Sequence, residues 1–267
     1  MSPHFLMCPP DHYGIEYEIN PWMDRARQSD HTEAVRQWEA LRRLLETCGA
    51  TVSCMAPVAG LPDLVFTANA ALIHVRTAIL SRFRHPQRRG EEPHYAAWLA
   101  DHGFRIVRPN APGAFEGAGD ALFCGETLFA GYRIRSDIAT HQEIAGILQC
   151  RVIPLELVDP RFYHLDTCFC PLAPGKAIWY PAAFDTYGQK ALRDQIGDLI
   201  PVNEDEALRF ACNAVVLGDR VIANTGCPEL RRQLERRGFT LYETPLDEFV
   251  KAGGSAKCLT LRLDEDE

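Results

Sequence analysis

The sequence has no apolar run near the roughly 18–20 residues that a membrane-spanning helix needs. Its first ten residues, MSPHFLMCPP, lack a basic stretch followed by a long apolar segment, so no secretory signal is expected and the chain reads as cytoplasmic. Positive charge is in the minority, with 28 Lys and Arg against 36 Asp and Glu and a formal net charge of −8. That balance removes the electrostatic basis for a nucleic-acid partner. The ten cysteines include no CxxC pair and no CxxC…HxxxH pattern, so the common zinc frameworks are absent and no metal or cofactor is expected. There is no linker and no low-complexity segment. Residues 1–267, 46% hydrophobic, read as a single domain with enough apolar side chains for a sizeable core. Self-association is left open.

What the chain does contain is a repeat. Two short apolar runs flank a turn in Ala70–Leu80, again in Asp120–Ala130, in Thr167–Tyr180 and in Asn213–Ala223. Each reads as a β-hairpin with Gly, Asp or Pro at its turn. The turns, near positions 76, 125, 175 and 218, are spaced about 43–50 residues apart, the spacing of a repeat architecture. A helical pattern and one more strand follow each hairpin. Helices are expected from Ser29 or Asp30 to Cys48, with Glu33 in a capping box, and over 91–102, 137–150, 185–196 and 227–237. The strands after them are expected at 51–54, 104–107, 152–155, 199–202 and 239–242. Five helix–strand units but four hairpins leave one hairpin missing. His4–Cys8 and Cys258–Leu263 are both strand-like, and their pairing would close a ring of five ββαβ units and remove the sheet edges. The acidic end, Asp264 to Glu267, reads as solvated.

In such a ring, equivalent positions face one axis. The residues just before each first hairpin strand are Asn69, Glu116 with Asp120, His164 with Asp166, Asn213 and Cys258. Singly, each has a plainer explanation: Cys258 in an apolar strand as core, His164 as a structural histidine, the others as turn formers. Together they supply a thiol nucleophile, a histidine and several carboxylates. Carboxylates raise a thiol pKa, so the set makes chemical sense with a cationic substrate. A guanidinium between Glu116 and Asp166 would be held by charge-assisted hydrogen bonds. The glycines of Gly253-Gly254-Ser255 would allow close backbone approach to a ligand.

Four segments carry a family resemblance: Pro62–Ala70 (PDLVFTANA), Phe115–Asp120 (FEGAGD), His164–Thr167 (HLDT) and Gly253–Cys258 (GGSAKC). Through them the chain resembles, almost end to end, the guanidine-modifying superfamily of amidinotransferases, arginine deiminases and dimethylarginine dimethylaminohydrolases. The resemblance implies an α/β fold, a five-bladed α/β propeller of pseudo-repeated ββαβ units forming one catalytic domain over 1–267. It implies Cys258 as nucleophile, His164 as general acid/base, Glu116 and Asp166 as guanidine ligands, and Asp120 supporting the site by orienting His164. Arg88 and Arg135 would hold the substrate carboxylate, with an exposed ion pair as the plainer alternative for each. Ile19–Met23 resembles the substrate-covering loop of the arginine dihydrolase branch, with Asn20 touching the substrate. Deiminases and dimethylarginine hydrolases carry an acidic residue where this chain has Asn69. A neutral amide there can donate to the carbonyl of a ureido product, which favours the dihydrolase pattern, arginine to ornithine, ammonia and carbon dioxide. The likeness reaches only the catalytic domain of longer two-domain members, and their C-terminal extension is expected to be lacking. The alternatives are a one-step enzyme giving citrulline, an amidinotransferase, a non-catalytic guanidine-binding scaffold, and a redox protein using Cys168 and Cys170.

Overall fold

A short hairpin opens each repeat, and the left-handed residue at its turn recurs. Gly125, Gly175 and Gly218 have φ of +60°, +72° and +63°. The first hairpin departs from the expected Gly, Asp or Pro, because Val75, a β-branched residue, takes φ +52° at the equivalent place. In the computed structural model, which describes residues 2–264, the hairpins are β3 (Ala71–His74) with β4 (Thr77–Leu80), β6 (Ala121–Cys124) with β7 (Thr127–Tyr132), β9 (Phe169–Ala173) with β10 (Lys176–Trp179), and β12 (Val215–Leu217) with β13 (Arg220–Asn224). The fifth joins the chain ends: β15 (Leu261–Arg262) pairs antiparallel with β1 (His4–Met7), Leu6 opposite Leu261 and Phe5 opposite Arg262.

The second strand of every hairpin lies mid-sheet and pairs parallel with a third strand. These third strands are β2 (Thr51–Cys54), β5 (Arg105–Val107), β8 (Arg151–Glu156), β11 (Asp198–Pro201) and β14 (Thr240–Thr244). A parallel pair needs a crossover, and a helix supplies it each time. The helices are His31–Thr47, Glu92–Asp101, Ala139–Leu148, Thr186–Gln195 and Pro228–Glu235. Among the described residues this gives five three-stranded sheets, the five-bladed α/β propeller of ββαβ units.

The first helix buries Ala34, Trp38, Leu41 and Leu45 on one face. Asp30 caps it, accepting from the Glu33 amide at 3.0 Å. The capping box does not form. The Glu33 carboxylate turns to Arg36 and Gln37, and the Asp30 amide donates instead to Glu248 at 2.6 Å. Neighbouring units share apolar side chains, as where the Phe129 and Phe169 rings lie 5.3 Å apart between β7 and β9. At the acidic end, Asp264 is tied down by the His4 amide at 3.0 Å and by Arg262, so it is not a solvated tail residue. Glu265, Asp266 and Glu267 lie outside the described residues. Among the described residues no helix is long and apolar enough to cross a membrane.

Candidate active site

The five loops that enter the first strands, with Arg88 and Arg135 from the segments after β4 and β7, converge on one buried cluster. Asn69, Arg88, Glu116, Asp120, Arg135, His164, Asp166, Asn213 and Cys258 are all 3% exposed or less. Cys258 lies in a turn, not in the strand the sequence suggests; β15 begins only at Leu261. Three contacts hold that turn. The Cys258 amide donates to Asn213 Oδ1 at 3.1 Å, Asn213 Nδ2 reaches Sγ at 3.0 Å, and the Ala68 amide donates to the Cys258 carbonyl at 3.1 Å. The amide hydrogen of Cys258 fixes which end of Asn213 is oxygen, so the end facing sulfur is a donor suited to a thiolate. Asp166 closes the other side, with Oδ2 3.5 Å from Sγ. Burial, and then Asp166, push the thiol well above its ordinary value, so at rest it is protonated.

Glu116 is the hub of the second group. One oxygen meets His164 Nε2 at 2.7 Å and Arg135 Nη1 at 3.0 Å, and the other accepts from the Arg84 amide at 3.1 Å. Burial alone would raise Glu116, but Arg135 and His164 outweigh it and hold the carboxylate well below the usual range. Asp120 does not orient the His164 ring. It accepts from Ser136 Oγ at 2.6 Å and from the Leu165 amide at 3.0 Å, while Ser136 accepts from the Glu116 amide at 3.0 Å. Asp120 therefore fixes the backbone on both sides of the His164–Glu116 pair. His164 Nδ1 is buried without a hydrogen-bond partner among the described residues.

Arg88 and Arg135 are not exposed ion pairs. Arg88 grips Glu91 with two parallel bonds of 2.7 and 2.8 Å, and donates to Asn69 Oδ1 at 2.8 Å and to the Asp63 carbonyl at 3.1 Å. Burial pushes Glu91 up and Arg88 pulls it back; the fork-to-fork geometry is that of an ion pair. Arg135 lies over the Tyr163 ring at 4.6 Å and donates to the Ile19 carbonyl at 3.0 Å. Asn20 is engaged with backbone at both ends, donating to Ala252 O at 3.0 Å and accepting from the Trp22 amide at 2.9 Å.

The glycines before Cys258 are also required by neighbouring rings. A Cβ on Gly253, where φ is +84°, would come within 2.9 Å of Tyr163, and one on Gly254 within 2.4 Å of Phe66. A Cβ on Gly119 would reach 2.2 Å from Asn69 Nδ2. That nitrogen is itself buried and lacks a partner among the described residues. Because Arg88 can only donate, the atom it meets must be oxygen, so the orphan atom is the NH2 group.

Residues 15–264 match the family described as N,N dimethylarginine dimethylhydrolase, eukaryotic. The chain belongs to that family. It is 48% identical over 97% of its length to the bifunctional arginine dihydrolase/ornithine cyclodeaminase ArgZ of Synechocystis sp., and 46% identical to its counterpart AgrE of Nostoc sp.. It spans only 37% and 38% of those two proteins. It is also 40% identical over 97% of its length to the N(G),N(G)-dimethylarginine dimethylaminohydrolase of Mycobacterium tuberculosis, covering 85% of that protein. The crystal structure of the N-terminal domain of ArgZ bound to substrate superposes with a TM-score of 0.95 at 46% identity, over 98% of each chain. A further structure of that domain is covalently bonded to a reaction intermediate.

Sequence reasoning found the axial residues and missed their supports. Asp63, Glu91 and Ser136 hold Arg88, Asp120 and the Glu116 backbone, and none stands at the repeated position before a first strand. Among the described residues no group of three or more His, Cys, Asp or Glu is placed to hold a metal ion.

Proposed function

We propose that residues 1–267 act as one catalytic domain, a cytoplasmic arginine dihydrolase that carries out two successive hydrolyses at the guanidine carbon. The observation that carries the reading is the Asn69 amide, whose NH2 is buried and unpartnered among the described residues while Arg88 holds its oxygen. A donor there can donate to the ureido oxygen of citrulline, which a carboxylate at the same place could not. The ten free cysteines suit a reducing compartment.

The guanidinium enters between Glu116 and Asp166, where its charge offsets theirs and lowers the cost of a thiolate at Cys258. The thiol proton is released to water as the cation binds, and the thiolate sulfur adds to the guanidine carbon. The C–N bond breaks, and His164, held at Nε2 by Glu116, supplies the proton that leaves with ammonia. Water then adds to the amidino-enzyme, His164 takes its proton, and sulfur departs, giving citrulline. In the second round Cys258 adds to the ureido carbon and expels a second ammonia. Water cleaves the carbamoyl thioester, and the resulting carbamate loses carbon dioxide to leave ornithine. Arg88 and Arg135 anchor the substrate carboxylate, and Asn20 shapes the covering loop.

Incubation with arginine, citrulline and dimethylarginine, with products identified by mass, tests this. Ornithine from both arginine and citrulline is expected. A product pool of citrulline alone, or turnover confined to methylated arginine, would replace it with the one-step reading. That reading has its own support in the 40% identity to the mycobacterial N(G),N(G)-dimethylarginine dimethylaminohydrolase.

A further inference from the structure

No side chain of the cluster is more than 3% exposed, so a ligand can enter or leave only if some segment moves. The segment between β1 and the first helix, residues 8–30, contains no helix or strand, and it lies against the site through Ile19, which accepts from Arg135, and Asn20, which donates to Ala252. Residues 16–30 of it are exposed or half-buried apart from Met23, the kind of loop that opens locally at low cost. Buried Tyr13, which stacks on Phe249 and donates to the Glu248 carbonyl at 2.8 Å, fastens the first part of the segment, and the part beside the site is fastened by Trp22. Its indole N–H donates to the Arg161 carbonyl at 2.6 Å, and its ring meets Phe210 with centroids 4.8 Å apart.

Both receiving groups are stiff, and each leads directly to the site. Arg161 is clamped by its own side chain, with bonds of 2.7 and 3.1 Å to Asp159 and 2.8 Å to Glu204, so its carbonyl is a fixed acceptor three residues before His164. Phe210 is fully buried and sits at φ +61°, a left-handed conformation costly for an aromatic residue. Backbone bonds of 2.9 Å to Ala207 and from Asn213 hold it there, and Asn213 is the residue that touches the Cys258 sulfur.

We propose that Trp22 is a latch that sets how long a ligand stays in the site and, through that, whether citrulline is released or attacked again. The second clause rests on the dihydrolase reading. Two hydrolyses without release of free citrulline require citrulline to leave more slowly than Cys258 attacks it, and the Asn69 donor alone binds citrulline without closing the way out. Trp22 touches none of the reacting groups, so its removal should act on retention and leave the first hydrolysis in place.

The test is a rapid-mixing chase of labelled arginine and of labelled citrulline from Cys258→Ser protein, with and without Trp22→Ala or Trp22→Phe. Product ratios are measured in parallel with Cys258 intact. Loss of one indole hydrogen bond and one ring contact should speed release roughly tenfold in Trp22→Ala. Trp22→Phe keeps a ring and should fall between, and it serves if the alanine variant does not fold. The citrulline-to-ornithine ratio should climb in the same order. Release rates unchanged in both variants would overturn the latch whatever the products are. Faster release from an enzyme that makes only citrulline would leave the latch standing and remove the dihydrolase reading with the partition it implies.

Discussion

Asn69→Asp changes one heavy atom, the amide nitrogen to oxygen, on a side chain whose other end is fixed by Arg88. Oδ1 keeps its 2.8 Å bond from Arg88, now charge-assisted, so the side chain should stay in place. The other atom changes from an orphan NH2 donor to a carboxylate oxygen. A guanidinium, all donor, still suits it, and the first hydrolysis should survive. The ureido oxygen of citrulline does not, since two acceptors then face each other with no proton between them. A buried hydrogen bond lost in this way costs about 1–3 kcal/mol, which is roughly a 5- to 150-fold loss of citrulline binding. The added negative charge should also raise Asp166 further and slow both rounds somewhat. The assay is the citrulline-to-ornithine ratio at low conversion, read by mass, with added citrulline as a second substrate. Product should move toward citrulline, and turnover of added citrulline should fall by far more than that of arginine. An Asn69→Asp enzyme that still makes ornithine in the original proportion would refute the argument from the amide.

Cys258→Ser and His164→Ala should each abolish turnover with melting curves close to the parent's, and a near-normal rate in Cys258→Ser would end the covalent mechanism. Arg88→Ala strips Glu91 of its buried partner, so it should destabilise the protein by about 3–5 kcal/mol, read by denaturant unfolding; a small loss would mean that Glu91 is held neutral. Burial raises Asp166 to about 7, against which Lys257 and the bonds from Cys258 and Asn213 pull only partly. Its folded value lies above its unfolded one, so its contribution to stability is complete below the ordinary carboxylate range and is lost as pH rises through about 7. Arginine needs the ionised form, so its affinity for Cys258→Ser protein should weaken by up to about tenfold per pH unit below 7, with proton release on binding measured by calorimetry in buffers of different ionisation heat.

The fold was legible because the repeat is written in the pattern of apolar runs and turn residues, and five helices interrupt it at regular intervals. Pairing His4–Cys8 with Cys258–Leu263 followed from counting hairpins. The site was legible as a position, one place in the repeat, but not as a network. Nothing in the spacing of Arg88 and Glu91 distinguishes a buried fork-to-fork pair from an exposed one on a helix. Asp120 orients backbone rather than the histidine ring because Ser136, a residue with no pattern of its own, stands between it and Glu116. The Gly253-Gly254 pair has a second cause that the sequence does not display, the Tyr163 and Phe66 rings, which come from segments far away in the chain.

The ladder of β15 and β1 has two facing residue pairs, Phe5 with Arg262 and Leu6 with Leu261, extended by the bonds of His4 to Leu263 and Asp264, while β7 and β8 match along six. The thiol hangs three residues from this thinnest join. The enzyme is thus built with a fuse: partial loosening should part this seam first and carry Cys258 away from Asn213 and Asp166, with the other four blades intact. Under mild heat or denaturant, activity should fade well before the helical circular dichroism signal does, and the loss should reverse on return to native conditions because most of the ring never came apart.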